Sequence, residues 1–255
     1  MLLAIDIGNS NIVIGGIQDD KIVFEARIAT DRIKTSDQYG VEIKNILSLF
    51  EVPVETVEDV IISSVVPPVF NAVRTGAYKV TGLTPMVVGP GIKTGLNIQM
   101  DNPASVGSDL IVAAVAALQE YTAPLMLIDM GTATTITVVD QGNNYIGGAI
   151  IPGVRVSAEA LSSRAAQLPG IQLDRPKRAI GKNTIECMRS GIMYGAAAML
   201  DGMVERMEAE LGKPVTGVAT GGIAQFIVPL CKREMTIEKD LLLKGLNVIY
   251  KKNRK

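Results

Sequence analysis

The sequence predicts an α/β protein in which one strand–hairpin–helix plan occurs twice, with the active-site cleft between the two copies. Two observations lead to this prediction. Residues 4–10 and 127–133 are nearly alike, because each is an apolar run that ends in Asp-x-Gly and a small polar residue. Strand-like and helix-like segments also alternate along both halves of the chain. The boundary is expected near residue 120, which divides the chain into domains 1–120 and 121–255.

The two similar segments are predicted to be hairpins with an acid at the bend. They read Asp6-Ile7-Gly8-Asn9-Ser10 and Asp129-Met130-Gly131-Thr132-Ala133. Glycine permits a tight turn, backbone N–H groups at such a turn can cradle phosphate oxygens, and a neighbouring carboxylate can hold the accompanying cation. A single Asp-x-Gly between strands usually marks only a turn. Two copies, one at the start of each half, favour a nucleotide clamp.

The first half contains strands separated by turn signals, followed by alternating helices and strands. Ser36 is a candidate N-cap for the first helix, and Pro67-Pro68 stops the fourth strand. The predicted strands are 2–7, 11–18, 21–29, 60–66 and 86–88, and the predicted helices are 36–50 and 69–80.

The second half repeats this plan after an alanine-rich helix over 102–121. The predicted strands are 125–130, the arm that follows the second hairpin, 145–153 and 215–220. A long helix is expected from Thr184 to Leu211, with Thr184 as N-cap and Gly212 just past its end. The pair Gly147-Gly148 is compatible with a bulge between strands or with a functional loop.

Composition restricts the possible partners and chemistry. The 255 residues are 47% hydrophobic and carry a net charge of -1, which argues against nucleic acid or an anionic membrane as a partner. No segment approaches the about twenty apolar residues of a membrane span. Two distant cysteines favour a reducing compartment, so the expected location is cytoplasmic. The basic cluster 251–255 is predicted to be a solvated tail.

The chain has no histidine. This composition argues against zinc enzymes and Ser-His-Asp hydrolases, and it leaves carboxylates and oxygen-preferring cations such as Mg²⁺ or K⁺. The sequence also has no Walker loop and no strand-linked Gly-x-Gly-x-x-Gly motif. Nucleotide binding is therefore assigned to the two hairpins.

The paired hairpins resemble the phosphate loops of the acetate and sugar kinase, Hsp70 and actin superfamily. Between them, residues 102–109 (Asn-Pro-Ala-Ser-Val-Gly-Ser-Asp) look like the substrate motif of the type III pantothenate kinases. The segment 147–153 and Thr220-Gly221-Gly222 match that family in order and spacing. The resemblance spans essentially the whole chain, and it implies the actin-like ATPase fold of duplicated ribonuclease H-like domains.

The resemblance also implies an activity and assigns roles to residues. The activity is phosphorylation of pantothenate by ATP, the first step toward coenzyme A, with Mg²⁺ and a monovalent cation (K⁺ or NH₄⁺) as cofactors, in a homodimer. Asp109 would be the catalytic base, and Asp129 would bind K⁺. The ATP-binding residues would be Asp6 (also near Mg²⁺), Ile7, Gly8, Asn9, Ser10, Asn11, Thr132, Gly221 and Gly222. The substrate-binding residues would be Met100, Gly107, Ser108, Asp109, Leu110 and Thr184.

Three positions depart from the family pattern around the acceptor. Arginine is usual where this chain has Leu110, tyrosine where it has Met100, and asparagine where it has Ala113. Leucine cannot form the forked hydrogen bonds that arginine makes to a carboxylate. Three functions are therefore considered: a pantothenate kinase with an altered pocket, a kinase for a different small alcohol, and a non-catalytic regulator that binds a nucleotide or metabolite.

Overall fold

The computed structural model describes residues 1–254. The strands are β1 (Leu2–Ile7), β2 (Asn11–Gln18), β3 (Lys21–Ala29), β4 (Asp59–Ser64), β5 (Met86–Val87), β6 (Asn97–Ile98), β7 (Leu125–Met130), β8 (Ala133–Val139), β9 (Asn144–Pro152), β10 (Thr216–Thr220) and β11 (Thr236–Ile237). The helices are α1 (Ser36–Leu49), α2 (Pro67–Thr81), α3 (Ser108–Glu120), α4 (Val154–Arg164), α5 (Thr184–Leu211), α6 (Ala224–Ile227) and α7 (Leu241–Asn253).

The chain forms two compact units. The first contains Met1–Leu96, Asp101–Gln119 and the chain from Asp240 onward, and the second contains Asn97–Met100 and Glu120–Lys239. This division differs from the expected domains 1–120 and 121–255 in two segments. Residues 97–100 belong to the second unit because β6 pairs with β9, and the C-terminal segment belongs to the first because α7 packs there.

The first unit is built on a sheet with strand order β3-β2-β1-β4-β5. β1 to β3 form an antiparallel meander, and β4 pairs with β1 in parallel. β1 is buried on both faces, as expected for a central strand covered by helices. Leu3, Ile5 and Ile7 pack on the side of α1 and α2, whereas Leu2 and Ala4 pack on the side of α3 and α7. Because side chains alternate along a strand, Asp6 belongs to the α3 side.

The second unit repeats this plan. Its strand order is β11-β10-β7-β8-β9-β6, with an antiparallel meander of β7 to β9 and with β10 parallel to β7. Met126, Ile128 and Met130 on one face of β7 pack against α5 through Met193 and Leu200. Both units therefore place an Asp-x-Gly hairpin directly after a central buried strand.

Most predicted elements are confirmed, and the differences have local causes. β1, β2, β3, β7 and α5 have the predicted bounds. Both proposed N-caps were wrong by one residue: Thr35, not Ser36, accepts the Gln38 N–H, and Asn183, not Thr184, accepts the Glu186 N–H at 2.9 Å. The helix expected over 102–121 begins only at Ser108, after a 3₁₀ turn at Pro103–Ser105.

The prediction of a solvated C-terminal tail was wrong for residues 251–253. They form the end of α7, a helix that the sequence analysis did not predict. The Lys252 ammonium donates a hydrogen bond to the Thr94 carbonyl at 3.0 Å, and the Asn253 amide donates to the Lys93 carbonyl at 2.8 Å. Within residues 1–254, none of the helices has the length and apolar character that crossing a membrane requires.

Helices α1 and α2 cross where two glycines meet, and these glycines provide a matched test of packing. A Cβ at Gly76 would lie 2.7 Å from the Ser36 carbonyl oxygen and 2.8 Å from the Gly40 nitrogen, and both of these are backbone atoms. We expect Gly76→Ala to lower the free energy of unfolding by about 1–3 kcal/mol, because the helices must separate. Urea unfolding measures this change.

Gly40→Ala is the control for this prediction. The nearest atom to its Cβ would be the Gly76 carbonyl oxygen at 3.4 Å, which is an ordinary contact. Since alanine favours a helix over glycine by about 1 kcal/mol, this variant should be neutral or more stable. Equal destabilisation by both substitutions would contradict the proposed crossing.

Candidate active site

Hydrogen bonds from Thr30 fix the turn of the first hairpin on one side. The Gly8 N–H donates to the Asn11 carbonyl at 3.0 Å, and Thr30 at the end of β3 donates its hydroxyl to the Gly8 carbonyl at 2.6 Å and its N–H to the Ser10 carbonyl at 3.0 Å. Across a planar trans peptide the N–H points opposite to the carbonyl, so the Asn9 N–H points away from Thr30. Asn9 and Ser10 are exposed. This turn is suited to receive an anion on its outer side.

Asp6 is held at the start of the same hairpin by the neighbouring parallel strand. It lies beside Ser63 of β4 in the strand register, and the Ser63 hydroxyl donates a hydrogen bond to its Oδ1. Both residues are buried, and Ser63 is fully so. The carboxylate therefore has a fixed orientation at the carboxyl end of the sheet, where ligands bind in open α/β folds.

The start of α3 is tied to the end of β4. The Ser64 N–H donates to the Ser108 hydroxyl oxygen at 3.2 Å, and that hydroxyl donates to the Ser64 carbonyl at 3.0 Å. A serine hydroxyl has one proton to donate, so Ser108 can offer a ligand only an acceptor lone pair. Asp109 follows immediately, in the first turn of the helix. Ser63 and Ser64 thus bring Asp6 and the Asp109 segment together within one unit.

Asp109 is partly buried, and its carboxylate turns back over Gly107. A Cβ at Gly107 would lie 2.5 Å from Asp109 Oδ1, so this conformation needs glycine. Burial raises the pKa of the Asp109 carboxyl above its ordinary value, and the hydrogen bond from the Leu110 N–H at 2.8 Å opposes this change. The desolvation cost outweighs the favourable helix N-terminus. A carboxylate with a raised pKa is a better proton acceptor.

The second unit gathers oxygen atoms around Asp129. Thr135 on β8 and Thr220 on β10 are its direct partners in the sheet register. Gly221 has φ +93°, and a Cβ there would lie 2.6 Å from the Met130 carbonyl oxygen and 2.7 Å from Asp129 Oδ1. The Thr135 hydroxyl oxygen is buried and has no hydrogen-bond partner among the described residues. A carboxylate, a carbonyl and a threonine hydroxyl are the donor types that hard cations prefer.

The second hairpin packs against the start of α4. The Gly131 N–H donates to the Ala133 carbonyl at 3.0 Å, and the Gly153 N–H donates to the Thr132 carbonyl at 3.2 Å. Thr132 itself is exposed in the turn. A Cβ at Gly153 would overlap the carbonyls of residues 131 and 132, so this glycine permits the helix to approach.

Gly147-Gly148 has the structural role of a bulge. The β8–β9 register shifts between Val138 and Val139, Gly147 has φ +142°, and a Cβ at Gly148 would overlap the Ile136 carbonyl oxygen.

Met100 and Thr184 belong to the second unit. Met100 follows β6, and its sulfur would lie 3.8 Å from a Cβ at Gly147. Thr184 is the exposed first residue of α5 and borders a concavity of about 520 Å³ together with residues 166–169. Because the Asn183 side chain caps the start of α5, the Thr184 hydroxyl is not needed as the N-cap. Leu110 is partly buried, and Ala113, which also lies on α3, is buried.

The donor set fits hard cations that arrive with phosphate. Among residues 1–254 there is no group of three or more Cys, Asp or Glu side chains placed to hold a metal. Mg²⁺ is usually bound by one or two carboxylates together with substrate phosphates, and Asp6 beside the first hairpin meets that description. The sequence analysis missed Ser63, Thr30 and Thr135. The only signal for Ser63 was a serine pair at the end of an apolar strand.

The chain is similar in sequence and in fold to known proteins. A family profile described as type III pantothenate kinase matches residues 2–206. Type III pantothenate kinases from Exiguobacterium sp. (strain ATCC BAA-1283 / AT1b) and Halalkalibacterium halodurans are 47% and 44% identical, over 100% and 99% of this chain and 100% of each relative. The solved structure of the ROK hexokinase from Thermus thermophilus has a TM-score of 0.53 at 12% identity and covers 97% of both chains. The predicted fold class is confirmed.

Asp109 should make stability depend on pH in the direction opposite to an ordinary salt-bridged aspartate. Its pKa is raised on folding, so it contributes stability below its unfolded pKa of about 3.9, and that contribution is lost as the pH rises through the folded value. We expect Asp109→Asn to have a higher Tm than the parent protein at pH 7. The difference should vanish near pH 4, as measured by calorimetry.

Asp37→Asn is the matched control, since Asp37 occupies the same second position of α1. Its side chain is 76% exposed and pairs with Lys79. Neutralising it relieves no burial and should leave the Tm unchanged or lower. If Asp109→Asn is no more stable than the parent protein at pH 7, the burial of that carboxylate does not raise its pKa.

Proposed function

This chain belongs to the type III pantothenate kinase family, and we propose that it uses Asp109 as the general base for the transfer of phosphate from ATP to pantothenate. The reaction is the first step of coenzyme A biosynthesis. Relatives that are 43–47% identical over almost the whole chain favour this function over a kinase for another alcohol or a regulator. The observation that carries the mechanism is the partly buried Asp109, which is linked through Ser108, Ser64 and Ser63 to Asp6.

The chemistry requires positioning more than covalent participation. As the pantothenate hydroxyl oxygen forms its bond to the γ-phosphorus, the bond to the β–γ bridging oxygen breaks, and Asp109 accepts the hydroxyl proton. The amides of the first hairpin orient the phosphates and stabilise their charge. Mg²⁺, when bound, neutralises charge on the phosphate oxygens, and Asp6 is the residue that would hold it. A carboxylate base fills the role that histidine has in many enzymes.

The acceptor pocket is the part that departs from the family pattern. Leu110 stands where an arginine is usual, so the pantothenate carboxylate must be recognised by another group. The family resemblance assigns substrate contacts to Met100 and to Thr184, whose hydroxyl is exposed at the start of α5. Loss of a charged contact of this kind costs on the order of 2–5 kcal/mol in binding, which predicts a high KM rather than a changed reaction.

A homodimer is part of the proposal. Gly191, Gly195 and Ala198 form an exposed stripe of small residues along α5, and a Cβ at either glycine would meet no atom within 4 Å. Ile180 and Ile185 beside the start of this helix are 83% and 45% exposed. Small residues permit two helices to approach closely, and exposed apolar side chains favour association. This face of α5 is the proposed contact between protomers.

Steady-state assays with pantothenate and a panel of small hydroxy compounds test the function. We expect ATP turnover with pantothenate, a fall of about 10²–10⁴-fold in Asp109→Ala, and a lower KM for pantothenate in Leu110→Arg. Turnover only with another alcohol would overturn the acceptor assignment. Absence of turnover with every compound would overturn the assignment of a kinase.

A monovalent cation at Asp129 is proposed from the oxygen atoms around it, and Thr135→Val tests this site. Valine matches threonine in shape and removes only the unpartnered hydroxyl. We expect the K⁺ concentration for half-maximal activity to rise about tenfold. The Tm should stay equal or rise, because an unsatisfied buried hydroxyl costs about 1–3 kcal/mol.

Thr134→Val is the matched control. Its hydroxyl is also buried and unpartnered, but Thr134 lies opposite Met130 and therefore on the other face of the sheet from Asp129. It should leave the K⁺ requirement unchanged. An equal change in the K⁺ requirement of both variants, or no change in either, would show that the Thr135 hydroxyl is not part of the cation site.

A further inference from the structure

The two serines at the carboxyl end of β4 contact both functional segments of the first unit. The Ser63 hydroxyl donates to the Asp6 carboxylate, and the Ser64 backbone exchanges two hydrogen bonds with the Ser108 hydroxyl. The dipeptide is itself fixed. The Val65 N–H donates to the Ile7 carbonyl at 3.1 Å, and the Val66 N–H donates to the Ser64 hydroxyl oxygen at 3.1 Å.

The bond between Ser63 and Asp6 is protected from water. Ser63 is 0% exposed and Asp6 is 4% exposed. A hydrogen bond to an ionised carboxylate is stronger than one between neutral groups, and a low dielectric strengthens it further. Because Asp6 and Ser63 are direct partners in the register of two central strands, their side chains leave the same face of the sheet next to each other.

We propose that Ser63 is a positioning residue, which holds the Asp6 carboxylate in the orientation that Mg²⁺ and the ATP phosphates require. Ser64, one residue along, holds the start of α3 and with it Asp109. The end of β4 therefore sets the spacing between the acid on the nucleotide side and the base on the acceptor side. This inference rests on the proposed role of Asp6 in binding ATP with Mg²⁺.

Ser63→Ala, Ser63→Thr and the control Thr81→Ala test this role. Thr81 lies in the same unit at the far end of α2, and its hydroxyl donates to the Ala77 carbonyl at 2.8 Å. Calorimetric titration with a non-hydrolysable ATP analogue, repeated over a range of Mg²⁺ concentrations, measures nucleotide binding without an acceptor. Steady-state assays then give kcat and KM.

In Ser63→Ala we expect the Mg²⁺ requirement for nucleotide binding to rise and kcat to fall, each by about 10–100-fold. The KM for pantothenate should stay within about twofold, since nothing assigned to Ser63 touches the acceptor. Ser63→Thr keeps the hydroxyl, so its Mg²⁺ requirement for nucleotide binding should equal that of the parent protein. Thr81→Ala should change neither binding nor kcat.

Other outcomes are decisive as well. If Ser63→Ala lowers the Tm but leaves kcat and the Mg²⁺ requirement unchanged, Ser63 is only structural and the proposal is overturned. If the alanine variant does not fold, Ser63→Val takes its place, because valine has the shape of threonine and removes the donor that Ser63→Thr keeps. A valine variant with the parent Mg²⁺ requirement would also overturn the proposal. A changed Mg²⁺ requirement in a protein that phosphorylates no pantothenate would support the role of Ser63 and overturn only the acceptor.

Discussion

The parallel pairing of a central strand with its neighbour is the constraint on which the functional groups of each unit depend. In the first unit β1 pairs with β4 and places Asp6 beside Ser63, and in the second β7 pairs with β10 and places Asp129 beside Thr220. In each unit, an acid at the end of one strand lies next to a hydroxyl residue at the end of the other. The register of two buried strands thus fixes where each carboxylate leaves the sheet, and in the first unit the Ser63 hydroxyl also holds the Asp6 carboxylate.

Burial determines the chemistry of the proposed catalytic base. Asp109 occupies the first turn of α3, where the helix dipole and the Leu110 N–H favour its charged form. Desolvation opposes both and raises the pKa of the carboxyl. An exposed aspartate at the same helical position would be a weaker base. The protein therefore obtains a proton acceptor from a side chain of low intrinsic basicity, in a chain that has no histidine.

Much of the fold could be predicted because local patterns and tertiary packing agree. The strands of both hairpins are apolar runs between clear turn signals, and the bounds of β1, β2 and β7 were predicted to the residue. The predicted N-caps were one residue too late, because each true cap is followed by another residue of a type that commonly caps helices. The pairs are Thr35 with Ser36 and Asn183 with Thr184. Ser63 and Thr135 act through cross-strand partners, and a single sequence does not specify that register. Helix α7 was missed because its basic end resembles a tail.

The position of α7 has a consequence for how the chain folds during synthesis. Leu243 and Leu246 cover the face of the first sheet that carries Leu2 and Ala4, so β1 is covered by a helix that follows the second unit in the chain. The first unit cannot complete its core until α7 has been synthesised, whereas the second unit is almost continuous from Glu120 to Lys239. Domains usually complete their folding in the order of synthesis. Here the unit that contains the first hairpin is completed after the second unit.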